Sequence, residues 1–321
     1  MTFGEGITRL FMAPYNRKVW GYPLELLSAN WIAERISVID LARIKDNIAQ
    51  ERDDTGWGPN NMFKFPLRGA TGEIFRRMAA RCGSKIQYNK ELIEIDTVKK
   101  RLRFSDGTTD EYDYLISSMP LTFTVEMLKP QEIELQKAIE ESLVATSGVI
   151  VGLGFKGTPP EGERCWMYFP ESTSPFYRMT YFHHYSPHNV PDGNHYSYMC
   201  ETSYSASRPI NKSSIIEDTI MGLIRTGIIS EDERHRIIST FVIDVPFSYP
   251  VPTLKRNKGI SEIIRRLEQH SIISRGRFGL WLYEVGNMDH SFQQGADVVN
   301  RIVLKEEERV IAPFRKIIIG D

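Results

Sequence analysis

Gly276–Phe292, GRFGLWLYEVGNMDHSF, opens as a strand and runs into Gly286-Asn287, with Asp289 and His290 close behind. Aromatic, glycine, amide, acid and imidazole groups thus share one short turn. A helix is predicted just after it, over Gln293–Leu304. Upstream, Tyr112–Pro120, YDYLISSMP, ends in small and polar residues. A strand does so when its carboxyl end faces a ligand crevice, the arrangement of α/β folds.

Working outward, KIQYN, ELIEIDTV and RLRF read as short strands, with a turn at Asp106-Gly107. Met62–Pro66 alternates like a strand, and Arg68–Gly72 turns into a helix over Glu73–Arg81. The first fifty residues read as three helices. One runs from about Phe3 to Pro14 with a Thr2/Glu5 capping box. PLELLSANWIAERI is the second, with Leu24, Leu27, Trp31 and Ile32 on one face. SVIDLARIKDNIAQ is the third. Glu132–Leu143 is helical. GVIVGLGF, CWMYF, YRMTYFHHY and YSYMCETSY then alternate as a twisted antiparallel sheet with one face over a pocket. Helices follow from Ser214 (with Glu217) and Ser230 (with Glu233), then the strand TFVIDVPFSYP and a helix near Ser261–His270. RKIIIGD reads as a last strand.

The 321 residues carry 40 Lys+Arg against 41 Asp+Glu, so charge gives no reason for a nucleic-acid or anionic-membrane partner. Cys82, Cys165 and Cys200 are dispersed without a CxxC, which argues against zinc or a disulfide framework and fits a reducing, cytoplasmic setting. No apolar run approaches the roughly 18–20 residues that span a bilayer. The first residues lack the basic-then-apolar pattern of a signal peptide.

FMAPYNRKVWGYP gathers Phe11, Tyr15, Asn16 and Trp20 around a proline-broken helix end, where they either hold a nucleobase or pack a helix corner. Arg35 ends an apolar helix face. Arg178 lies inside an aromatic β run and needs an anion, either a bound phosphate or a structural ion-pair partner. Tyr168, Tyr177, Tyr185, Tyr249 and Tyr283 all fall on predicted strands or at their ends. His183 and His184 are adjacent and would face opposite sides of a strand, so no metal site is expected. VKKRLRFSDG reads as a solvated edge hairpin. GxGxxG, Walker, GxSxG and HExxH motifs are absent, and Gly152-Leu153-Gly154 sits mid-strand.

FGEGITRLFMAPYNRKVWG, NWIAERI, GWGPNNMFKFPLRGATGEIF, CWMYFPESTSPFYR, YPVPTLKR and SRGRFGLWLYEVGNMDHSF, in order from about Phe3 to Val303, resemble the UDP-galactopyranose mutase family, in its eukaryotic-type branch. The resemblance implies an FAD enzyme, active in the reduced form, that interconverts UDP-galactopyranose and UDP-galactofuranose. Flavin N5 attacks the anomeric carbon and displaces UDP. The resemblance assigns Phe11, Tyr15, Asn16 and Trp20 to the uridine pocket and Arg35 and Arg178 to the pyrophosphate. It assigns Tyr168, Tyr185, Tyr249 and Tyr283 to phosphates and sugar, and Asn60 to the sugar. Arg277, Gly286 and Asn287 fall beside the flavin. Gln294-Gly295 would open the next helix and offer backbone donors to the flavin's pyrimidine edge.

The fold implied is α/β: an incomplete FAD-binding α/β domain with a helical subdomain and an antiparallel-sheet substrate domain. Residues 1–50 would be the helical substrate-binding part, 51–120 a partial FAD-binding part, 121–270 the sheet domain with helices, and 271–321 a return to the FAD-binding domain. Family members begin with a GxGxxG βαβ unit that matches nothing here. The expectation is a truncated or split chain, a homo-oligomer, or a separate chain supplying that segment, with weak FAD binding when alone. Two alternatives stand: an FAD-dependent oxidoreductase of the amine-oxidase or protoporphyrinogen-oxidase type, and an inactive remnant that at most binds UDP.

Overall fold

The computed structural model describes residues 4–32, 36, 40–54 and 62–319. The Thr2 cap, Arg35 and Asn60 lie outside the described residues. The chain forms two compact units, Met1–Glu25, Arg35–Ile86 and Thr146–Ser248 in one, Leu26–Glu34, Gln87–Ala145 and Tyr249–Asp321 in the other. Each unit is drawn from separated stretches of the chain.

The strands in chain order are β1 (Leu92–Asp96), β2 (Arg101–Phe104), β3 (Thr109–Glu111), β4 (Leu115–Ser117), β5 (Leu128–Lys129), β6 (Val144–Lys156), β7 (Trp166–Tyr168), β8 (Arg178–Tyr181), β9 (His195–Tyr204), β10 (Ile237–Val251) and β11 (Ile272–Ser274). The first unit is built on the sheet β10-β6-β9-β8-β7. Side chains alternate across a sheet, and here the alternation sorts them cleanly. Val149, Val151, Leu153, Phe155, Met179, Tyr196, Tyr198 and Cys200 pack on one face against Ile215, Ile220 and Leu223 of the helix Ile215–Arg225. Arg178, Glu201, Met199, Gly152 and Gly154 belong to the other face.

The second unit holds the sheet β3-β2-β1-β5 and a parallel pair, β4 with β11, in register from Leu115↔Ile272 to Ser117↔Ser274. The cationic hairpin is the outer part of the first of these: Arg103 pairs with Glu94 at 2.7 Å, and Asp106-Gly107 turns it with Gly107 at φ 83.

Several sequence expectations are corrected. Helical conformation continues through Pro14: a π-helical turn, Thr8–Met12, precedes the helix Ala13–Trp20. Proline cannot donate, and its ring crowds the preceding turn; the wider π turn accommodates both. Pro23–Trp31 forms a 3₁₀ turn, Leu24–Leu26, and an isolated bridge, Leu27↔Thr253, instead of an α-helix. KIQYN and Met62–Pro66 are not strands. YRMTYFHHY pairs only over Arg178–Tyr181 and then coils into the helical turn Phe182–Tyr185. His183 and His184 therefore lie 4.2 Å apart by ring centroid instead of on opposite faces. RKIIIGD begins as the helix Arg315–Ile319. Gly276–Phe292 contains no strand; pairing ends at Ser274, and turns follow in which Leu280, Trp281 and Leu282 are buried. Its apolar residues pack inward from turns, two of which need Gly276 at φ 89 and Trp281 at φ 54.

Candidate functional site

In the first unit, Phe11 and Tyr15 are four residues apart across the π/α junction and stack at 5.1 Å with an interplanar angle of 9°. Tyr15 meets Tyr168 edge-on at 5.1 Å and Tyr177 at 6.3 Å. Trp20, by contrast, is buried, and its indole N–H donates to Asn16 Oδ1 at 3.0 Å. The Asn16 amide donates to Met12 O at 2.7 Å. Trp20 and Asn16 thus make the helix-corner packing that was the alternative at these positions, while Phe11, Tyr15 and the exposed Tyr168 present the aromatic surface.

Arg178 stands between register partners on both sides, Tyr168 on β7 and Glu201 on β9. Its Nε donates to Glu201 Oε1 at 2.6 Å and its Nη2 to Oε2 at 2.8 Å. The Tyr177 hydroxyl donates to the same carboxylate at 2.8 Å. The structural ion pair weighed for Arg178 is therefore present. Tyr185 rests among Phe63, Phe65 and Phe182. Burial pushes its phenol pKa up, and the nearby Arg178 opposes that shift.

Sequence reasoning missed Glu201 and Lys18. Lys18 lies on the same helix as Tyr15, and its Nζ donates to Glu171 O at 2.8 Å and Ser174 Oγ at 3.2 Å. Burial, reinforced by the Arg208 charge, brings its pKa down to about 7. The available signal for Glu201 was an acid inside the aromatic run YSYMCETSY, which needs a cationic partner if buried.

In the second unit, β4 and β11 end side by side at Ser117 and Ser274, and the Gly276–Asn287 turns begin there. Arg277 Nε donates to Gly286 O at 2.8 Å, and its guanidinium lies 5.4 Å from the Tyr249 ring centre and 5.9 Å from that of Tyr283. A Cβ on Gly286 would come within 2.9 Å of the Arg277 side chain, so this approach requires glycine. Tyr283 also packs edge-on against Tyr249 and Trp31, each at 5.6 Å. A buried ion pair, Arg256 with Glu284 at 2.6 Å, anchors the turn.

The helix after the turn is Met288–Leu304, with Asn287 at its N-cap. Gln294 and Gly295 are therefore interior helical residues and do not open it. The longer helix buries Gln294, whose amide accepts from Gly276 N at 2.7 Å and donates to Val285 O at 2.9 Å. It braces the turn. Gly295 has open space where a Cβ would sit.

Among the described residues, no group of three or more His, Cys, Asp or Glu is placed to hold a metal, and no helix is long and apolar enough to cross a membrane.

Residues 2–225 match the family model of flavin containing amine oxidoreductases. That family and the fold define the class, a flavin-containing oxidoreductase scaffold. A crystal structure of reduced UDP-galactopyranose mutase superposes with a TM-score of 0.91 at 41% identity, covering 98% of this chain and 68% of that one. The chain belongs to the UDP-galactopyranose mutase family. A CLA-producing fatty acid isomerase from P. acnes (TM-score 0.53, 13% identity, covering 73% of this chain and 52% of that one) shares the fold. So does putrescine oxidase bound to putrescine (TM-score 0.51, 11% identity, covering 73% and 53%).

The second unit's residues fit a flavin ring. The helix start at Met288 offers backbone donors. Ser274 Oγ at the end of β11 and His290 Nδ1 in the helix's first turn are buried without a hydrogen-bond partner among the described residues. Buried orphans of this kind are satisfied by a ligand or water.

Proposed function

We propose that this chain performs the UDP-galactopyranose/UDP-galactofuranose interconversion with FAD. When bound and reduced, FAD supplies nucleophilic displacement at the anomeric carbon. The chain's residues supply the grip on UDP while its bond to the sugar is absent. Phe11 and Tyr15 offer a flat stack to uracil, and base–aromatic stacking contributes about 1–3 kcal/mol. Arg178 directs charge-assisted donors at the diphosphate, with Arg35 as its partner from the family pattern. Tyr168, the register neighbour of Arg178, and Tyr185, near enough for the Arg178 charge to act on its phenol, are assigned to the phosphates and sugar. Tyr249, Tyr283 and Asn60 are assigned to the sugar, and Arg277, Gly286 and Asn287 to the flavin's surroundings. Gln294 and Gly295 act as a brace and a small helix surface.

The observation that carries this reading is the Phe11–Tyr15 stack meeting Tyr168, itself the register neighbour of Arg178. An ammonium group brings only donors and gives the Arg178 guanidinium, itself donor-only, nothing to bind. The free thiols Cys82, Cys165 and Cys200 support a reducing, cytoplasmic setting.

The test is titration of UDP and of FAD, separately, into the purified chain, followed by assay of UDP-galactofuranose conversion under dithionite. Binding of both with conversion supports the reading. UDP binding without FAD binding leaves a UDP-binding remnant. Failure to bind UDP refutes the proposal.

A further inference from the structure

Glu201 has no role in the site as the family pattern assigns it, yet its carboxylate accepts from two of the side chains there, Arg178 and Tyr177. It is 8% exposed, and no acid is buried at such a place without compensation. Three charge-assisted hydrogen bonds supply it: two from Arg178 and one from the Tyr177 hydroxyl, between 2.6 and 2.8 Å. The backbone holds the same geometry, because Arg178 and Glu201 are cross-strand partners and Tyr177 N donates to Glu201 O at 2.9 Å. Tyr177 is in turn buried, with its ring against Tyr15.

A carboxylate beside a diphosphate site repels the ligand. Its presence there is not explained by attraction for UDP. Orientation explains it: a bidentate carboxylate fixes the plane of a guanidinium, which otherwise samples many rotamers of a long side chain.

We propose that Glu201 is a positioning residue for UDP binding. It locks the Arg178 guanidinium and, through Tyr177, ties that cation to the Phe11–Tyr15 aromatic stack. The inference rests on the UDP reading above. Because Glu201 cancels the local charge, recognition comes from aimed donors more than from net positive potential.

The sign of one substitution separates orientation from simple electrostatics. Glu201→Gln keeps the shape and removes a negative charge near the phosphates. If Glu201 only repels, UDP binds more tightly. If it positions Arg178, UDP binds roughly tenfold or more weakly, the scale of one lost charge-assisted hydrogen bond.

The experiment is calorimetric titration of UDP and of uridine into wild type, E201Q, R178A and the double variant, with circular dichroism as the check on folding. The expected result is weaker UDP binding by E201Q, unchanged uridine binding, and no further loss when E201Q is added to R178A. Should E201Q not fold, Tyr177→Phe serves instead. It frees one side of the carboxylate without a charge change and is expected to weaken UDP roughly threefold. Unchanged or tighter UDP binding by the folded variant, or equal losses for UDP and uridine, overturns the inference alone. A wild-type chain that does not bind UDP overturns the functional reading, and this inference with it.

Discussion

Replacing Glu284 with Gln should be among the most damaging single changes in the second unit. Arg256 and Glu284 are 0% and 1% exposed and joined by two hydrogen bonds, 3.0 Å and 2.6 Å long. An exposed pair contributes about 0–1 kcal/mol. A fully buried one behaves differently: removing one partner strands a desolvated charge and costs about 3–5 kcal/mol. Asn257 Oδ1 also accepts from Arg256, at 3.1 and 3.0 Å, which puts the expected loss at the lower end, about 3 kcal/mol. Guanidinium unfolding followed by far-UV circular dichroism measures it. The control is Arg256→Met with Glu284→Leu, which removes both charges and fills the space. That double variant should lose less than E284Q alone. An E284Q loss under about 1 kcal/mol, or a double variant at least as damaged, would refute the reasoning.

Lys18 gives a pH signature. Its pKa falls from 10.5 unfolded to about 7 folded, so between those values the unfolded chain binds the extra proton. Stability should rise with pH across that window by up to about 1.4 kcal/mol per unit, relative to Lys18→Met, and the two proteins should run parallel below pH 7. Gly222→Val should destabilise by about 1–3 kcal/mol, because even a Cβ there meets Pro175 Cδ at 2.9 Å and Phe176 Cε1 at 3.0 Å; thermal unfolding reads it, and a neutral result would show that the 174–176 segment yields. Tyr15→Ala should weaken UDP and uridine by the same factor, about 5- to 150-fold for one lost stacking partner. A loss confined to UDP would move Tyr15 out of the base site.

The antiparallel sheet was legible because its alternation is dictated by one buried face, and Val149 to Phe155 repeat every second residue. The Ser230–Glu233 capping box was legible because its partners are three residues apart. Contacts set by distant packing were not. Glu201 lies 23 residues from Arg178, and only strand register reveals them as opposite. Gly276–Phe292 has the composition of a strand, but Trp281 adopts a left-handed conformation that no propensity favours, held by an indole hydrogen bond to Val144 O at 3.1 Å. Gln294 was expected at a helix start because the four residues Met288–Ser291, poor in apolar periodicity, gave no sign that the helix already ran through them.

The pleat of the five-stranded sheet divides hereditary labour. Residues on its inner side are constrained by volume, whereas those on the other side can change chemistry without disturbing the packing beneath. Divergence can therefore replace an arginine together with the acid that pairs with it, and leave the scaffold intact. A shared architecture among enzymes of unlike substrates, such as a fatty acid isomerase and a putrescine oxidase, is what such a two-sided surface permits.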